Sequence, residues 1–432
     1  MVKQRILSVG ERIMHVHQNE TINCLFTVRV KGNLSVEQIA YALLKLQEKH
    51  PLLRSVIKEV DRQCFFVLQD DMRPIPVEVY DRQTDDDWER LTRDHWQIHL
   101  DVSRGPLAKM LWLKGVGVSE LILICPHCIA DGVSMTTLLR EFLLVLDNPD
   151  YDIGNPQPFM EEIRSPHLPS VPKQLRTKFK GFIGACFAKI LLPGKRKQGK
   201  LINLNESYML RYRFTVLDTE YLLNDCKKHG VSLYAFMSAL FLDEFKKVFS
   251  GSAKQKLICP VDIRKYLTTL KEDQLFAFAP IIDVKTIKNS ASDVWQTAGE
   301  IKKEMMLKLS NIDIGEIIYM NNRFLSFVPK LLNHLHTDIG NHDFTFSNMG
   351  NLKLPPQFKT FIVEEVYSPS VAFPWRNPNT MVMSSYKGVL DLTFISNNAI
   401  LKKEAAALFM EQSVQKIKDL INDEHRAPAF TS

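Results

Sequence analysis

Five consecutive apolar residues at 121–125, Leu-Ile-Leu-Ile-Cys, run directly into Pro126, His127, Cys128, Ile129, Ala130, Asp131 and Gly132. An apolar run of that length with an abrupt polar end reads as a buried strand that delivers side chains to its tip. That places the fold among the sheet-containing classes. A histidine and an aspartate carried into an interior are costly unless they are paired or used. Histidine is also the side chain whose ordinary pKa suits general-base work near neutrality. The H-x-x-x-D-G pattern therefore marks a built site at a strand end.

The chain has 432 residues, 45% hydrophobic and 24% charged, enough apolar material for two or three packed cores. A formal charge of +6 is mild for this length. No zinc-finger spacing or RNA-binding signature accompanies it, so nucleic acid is not an expected partner. Seven cysteines, an odd number, read as reduced, buried thiols rather than a disulfide framework. The first eighteen residues lack a secretory apolar core, and no run of about 18 apolar residues occurs anywhere. The expectation is a cytoplasmic protein, at most peripheral to a membrane.

Along the chain, strands and helices mix in two stretches. In the first, a strand at 24–31 precedes a helix opened by Ser35, with Gln38 completing a capping box. Strands follow at 54–60, 64–68, 107–113 and 119–125, with helices at 86–99 and 134–146. Residues 148–172 are rich in Pro, Asp, Ser and Asn and read as a loop. Residues 173–200 are strongly basic with apolar residues at helical spacing, which suits either a packed crossover or a segment lying on an anionic membrane. The second stretch begins near Ser207, with helices at 232–249, 291–309 and 402–422. Strands are expected at 256–261, 281–284, 343–346, 361–368, 379–385 and 389–396. This gives an α/β chain with a first lobe at 1–172, a basic linker at 173–206 and a second lobe at 207–432.

Several segments, taken together, resemble the chloramphenicol-acetyltransferase-like superfamily. Its members include condensation domains of peptide synthetases, alcohol acetyltransferases, plant-type acyltransferases and polyketide-associated acyltransferases. The H-x-x-x-D-G mark is His127, Asp131 and Gly132. Lys49-His50-Pro51-Leu52-Leu53-Arg54-Ser55 is similar to the family's R-H-x-x-L-R-T segment, and Gly105-Pro106-Leu107 to its G-P-L. Gly230-Val231-Ser232 with Phe236, Pro260-Val261-Asp262-Ile263-Arg264 and Ser347-Asn348-Met349-Gly350 match later family segments, in the family's order. Pro126 replaces the first histidine of the double-histidine form, and no D-F-G-W-G of the plant branch is present.

The resemblance implies two mixed-sheet lobes in a V, with an active-site tunnel between them. It implies transfer of an acyl group from an acyl-CoA or acyl-carrier-protein thioester to a hydroxyl or amine. No permanently bound cofactor and no metal ligand set is expected, and the chain is expected to act as a monomer. His127 would be the general base, working without an acyl-enzyme. Asp131 would turn away from substrate to pair with Arg264. Gly132 would allow a tight turn and close approach to substrate. Ser347 or Asn348 would orient substrate or donate to a developing oxyanion, against the plainer reading of a turn closed by Asn and Gly. Two alternatives stay open: amide formation between carrier-bound substrates, and a non-catalytic relative that binds thioesters.

Overall fold

The structure, a computed structural model, describes residues 3–15, 22–163, 202–267, 270–277, 279–286, 293–313, 315, 317–318 and 324–426. The basic stretch at 173–200 lies outside the described residues.

The first part comprises β1 (Gln4–Ile6), α1 (Val9–Met14), β2 (Asn23–Lys31), α2 (Val36–Lys49), β3 (Ser55–Val60), β4 (Gln63–Leu68), β5 (Val77–Asp81), α3 (Asp87–His95), β6 (Lys109–Lys114), β7 (Val118–Pro126) and α4 (Gly132–Asp147). The second comprises β8 (Ser207–Arg213), α5 (Val216–Lys228), α6 (Leu233–Val248), β9 (Lys256–Pro260), β10 (Ile281–Lys285), α7 (Val294–Ser310), α8 (Val328–Thr337), β11 (Phe344–Asn351), β12 (Ile362–Val366), β13 (Ser370–Val371), β14 (Thr380–Tyr386), β15 (Val389–Asn397) and α9 (Lys403–Arg426). The capping box read at Ser35 is present, with Gln38 and Ser35 satisfying each other's backbone N–H. The short strand β5 and helices α5 and α8 were not anticipated: α5 has an apolar face too narrow to stand out, with Val216, Leu217 and Leu223 exposed.

Two large mixed sheets dominate. One runs β12-β2-β7-β6-β5, with β13 also on β2; the other runs β10-β9-β11-β14-β15-β8. The run at 121–125 explains itself here. β7 is interior to its sheet, and successive side chains point to opposite faces. Leu121, Leu123 and Cys125 enter a core shared with α2 and α4, through Leu43, Leu46, Leu138 and Phe142. Ile122 and Ile124 enter a separate core with Trp88, Trp96, Met209, Tyr367 and Ile395. A strand covered on both faces has no polar alternation to keep. The second sheet packs its own core against α6 and α9, through Phe236, Phe241, Phe346, Phe394 and Phe409.

The lobe boundary expected at 207 divides the chain but not the sheets. β12 and β13, from the second half, pair antiparallel with β2 of the first. Their register puts Val363 opposite Val30 and Val371 opposite Cys24. The apolar pattern at 361–368 reports burial, and burial is met equally well by either sheet. Among the described residues, no helix is long and apolar enough to cross a membrane.

Candidate active site

β7 ends at Pro126, and His127 follows in a turn closed by the Ile129 N–H donating to the Pro126 carbonyl at 3.0 Å. The His127 backbone N–H donates to Ile22 O at 2.6 Å, tying the turn to the chain entering β2. His127 Nδ1 lies 2.8 Å from Ala130 O. A carbonyl only accepts, so Nδ1 carries the proton and Nε2 keeps its lone pair. Burial pulls the imidazole below its ordinary 6.5, against the opposing pull of the Ala130 carbonyl and the Asp131 charge. The ring is hemmed in yet keeps an accessible edge. A neutral imidazole of fixed tautomer with an unprotonated Nε2 is the form a general base requires.

Asp131 is the N-cap of α4, its Oδ1 accepting from Ser134 N at 2.9 Å. The same carboxylate takes a two-pronged bond from Arg264, Nη1 to Oδ2 at 2.7 Å and Nη2 to Oδ1 at 2.8 Å. Parallel N–H bonds of this kind fix orientation as well as strength. Arg264 sits just after β9, so the pair joins the two halves. Its Nη2 also donates to Ser134 Oγ at 2.8 Å and to Phe276 O at 3.0 Å. Asp131 N donates to that same Phe276 carbonyl at 3.1 Å. The second half thus holds the histidine loop through both side chain and backbone.

Ser134 was not singled out from the sequence. Its hydroxyl donates to Phe276 O and accepts from Phe276 N, both at 3.0 Å. The D-x-x-S spacing at an α-helix start was a readable capping signal, but nothing local announces a partner 142 positions away.

Gly132 does not have φ in the left-handed region. A Cβ there would meet the thioether end of the flexible Met349 side chain, which the S-N-M-G segment lays against the start of α4. On β11, Phe346 enters the second core while Met349 packs against the first. Ser347 is half-buried on β11, two residues before Met349. Asn348 is exposed, and its Oδ1 accepts from Gly350 N at 2.9 Å. Gly350 has φ +62°, and β11 slips register against β14 there. Asn348 Oδ1 thus serves the turn of the plainer reading, while among the described residues its amide nitrogen makes no hydrogen bond.

Lys49 and His50, the start of the family-like segment at 49–55, brace this assembly from behind. Lys49 Nζ bridges Glu141 of α4 at 2.6 Å and Asp273 of the second half at 2.7 Å. His50 Nε2 donates to Glu141 Oε2, 2.7 Å away.

Cys125 and Cys128 stand in C-x-x-C spacing around His127. Both are fully buried, and burial pushes both thiols well above their ordinary value. That is the opposite of a reactive dithiol. Among the described residues no cluster of three or more His, Cys, Asp or Glu side chains could hold a metal ion.

Comparison with known proteins returns the same grouping. Residues 11–148 match the condensation-domain family model. The peptide synthetase CymA of Salinispora arenicola is 28% identical over 137 residues, which are 30% of this chain and 2% of that far longer protein. Among solved structures, the trichothecene 15-O-acetyltransferase TRI3 of Fusarium sporotrichioides superposes with a TM-score of 0.71 at 13% identity, covering 96% of this chain and 95% of that one. Polyketide synthase associated protein 5 of Mycobacterium tuberculosis gives 0.62 at 17% identity, covering 96% and 97%. The family-model match thus falls on the part that holds the histidine turn, whereas these two solved structures cover 96% of the chain.

Proposed function

We propose that this chain, built on the condensation-domain and chloramphenicol-acetyltransferase-like fold, is an acyltransferase. It moves an acyl group from a CoA or carrier-protein thioester to a hydroxyl or amine. The observation that carries the reading is the Nδ1–H bond from His127 to Ala130 O, which leaves Nε2 as a neutral base at the junction of the two halves.

His127 Nε2 takes the proton of the acceptor as its oxygen or nitrogen bonds to the thioester carbonyl carbon. The tetrahedral adduct then collapses, the carbon–sulfur bond breaks, and the proton on Nε2 passes to the departing thiolate. No covalent enzyme intermediate is needed. Asp131 and Arg264 act as positioning residues: they hold the loop that sets the imidazole. Ser347 and the Asn348 amide are the candidates for orienting the substrate carbonyl or donating to its oxyanion. The space between the halves serves as a tunnel that keeps water from the thioester. The chain works as a monomer in the cytoplasm, with any membrane contact made through 173–200.

The test is thiol release from acyl-CoA in the presence of an acceptor panel. His127→Ala should lose about 10²–10⁴-fold in rate, the usual worth of a positioned base, with unchanged circular dichroism. Transfer at the wild-type rate would sink the assignment.

A second reading is condensation of two carrier-bound substrates to an amide. The match of residues 11–148 to the condensation-domain family model favours it. Reaction only with two loaded carrier proteins, and none with free acyl-CoA, would select it.

A further inference from the structure

The crossing segment does more than extend the first sheet. β13 pairs Ser370 with Leu25 and Val371 with Cys24, so the chain travels toward the start of β2. There Asn23 lies opposite Pro126, and Ile22 O accepts from His127 N. The next residues therefore arrive beside the histidine from the far side of β2. Ala372 is buried in the core shared by the halves, but Phe373 is not consumed by any packed core. Its ring centroid is 6.2 Å from that of His127, tilted by 36°.

Phe373 is held from behind. Trp375 stacks on it at 4.4 Å and 13°. Pro374 O accepts from Ile202 N at 3.3 Å, and Arg376 N donates to Leu335 O of α8 at 3.0 Å. The two rings are thus pinned by the crossover on one side and by the second half on the other. Both remain partly open to solvent. Half-buried aromatic rings that lie outside the packed cores and are fixed beside a base are available to a ligand.

We infer that Phe373, backed by Trp375, is a specificity-determining residue for the transfer proposed above, on which this inference rests. It forms a platform for a planar apolar group attached close to the reacting centre. The atom that gives its proton to His127 lies about 3 Å from Nε2. A ring centred 6.2 Å from the imidazole centroid is near enough to meet carbons attached to that atom. Those carbons belong either to the acceptor or to the acyl group, and a planar, unsaturated or aromatic substituent on either would lie flat on the ring.

The experiment compares wild type, Phe373→Ala, Phe373→Leu and His127→Ala. The donor arm sets benzoyl-CoA against acetyl-CoA with one acceptor; the acceptor arm sets benzyl alcohol and benzylamine against ethanol and ethylamine with one donor. Each pair is scored as a ratio of kcat/KM and, independently of turnover, as a ratio of Kd by calorimetry. The expectation is that Phe373→Ala lowers the aromatic-to-aliphatic ratio about tenfold in one arm, the size of one aromatic contact, and that Phe373→Leu falls between. The arm that responds names the substrate carrying the planar group. His127→Ala should abolish turnover while leaving the Kd ratio intact. An unchanged ratio in both arms for Phe373→Ala, or no binding of any aromatic probe to wild type, overturns the platform. Full turnover in His127→Ala overturns the base reading without touching the platform.

Discussion

Among the described residues, ionic contacts join the halves near both ends of β7, and the two ends are built on different plans. At the histidine end, one arginine holds Asp131, with the Lys49–Asp273 pair bracing it from behind. Arg264 holds Asp131, and beyond it only Asp262, Ser134 and one carbonyl. At the other end lies a lattice with many members. Glu120 binds Arg29 at 2.7 Å and Arg82 at 2.9 Å. Arg29 reaches Glu365 of the crossing strand at 3.9 Å, and Glu365 binds Arg211 at 2.6 Å and Arg213 at 2.8 Å. Arg211 closes on Asp391 at 2.6 Å and lies over Tyr367 at 4.3 Å. Glu120 and Pro126 are six residues apart on β7, about 20 Å at the rise of an extended strand. The lattice spreads load over many partners and carries no chemistry. The arginine shares its carboxylate only with the Ser134 N–H among the described residues, and that carboxylate caps the helix beginning five residues after His127. Redundancy holds the lobes together at one end; singularity sets a geometry at the other.

Breaking each junction should separate these roles. Arg264→Ala strands a largely buried carboxylate, and should cost about 3–5 kcal/mol in chemical denaturation. It should also lower kcat by more than tenfold per folded molecule. Arg211→Ala should cost less, about 2–3 kcal/mol, because Glu365 and Asp391 keep other partners and the site is partly hydrated. Its kcat should stay within threefold of wild type, measured by thiol release on the folded fraction. A large kcat loss in Arg211→Ala would dissolve the distinction.

Ser134→Ala sharpens the same contrast at smaller scale. It removes an acceptor for Arg264 and for Phe276 N, worth about 1–2 kcal/mol. The smallest expected effect is in the pH profile. The free base is needed, so kcat/KM should fall on the acid side, with the limb below 6.5 because burial depresses the His127 pKa. The Asp131 charge favours the imidazolium. Removing it in Asp131→Asn should therefore move the limb further to acid. A limb moving toward neutrality would mean that the carboxylate does not act on the ring electrostatically.

Much of the secondary structure was legible, and for identifiable reasons. The capping box at Ser35, the twice-covered strand at 121–125 and the helix at 233–248 are written in local pattern. His127 and Asp131 stood out because polar groups at the end of an apolar run demand an explanation. The pairing with Arg264 came only through resemblance, since its 133-residue separation leaves no trace in spacing. The contact of Gly132 with Met349 is a tertiary feature that local pattern does not carry. Phe373 has no local signal that sets it apart. Cys125 and Cys128 carry a spacing associated with reactivity and an environment that denies it.

The sequence by itself determined most of the strands and helices, that a histidine and an aspartate sit at a strand end, and that the chain has apolar material for large cores. Those properties depend on neighbours within a turn or two, where periodicity and capping act. The tertiary structure alone decided that β12 and β13 join the opposite sheet, that Phe276 and Ser134 hold the histidine loop, and that two aromatic rings stand open beside it. Burial sets the apolar pattern of a strand, but a pattern is indifferent to which sheet buries it. Only the packing of the halves against each other chooses.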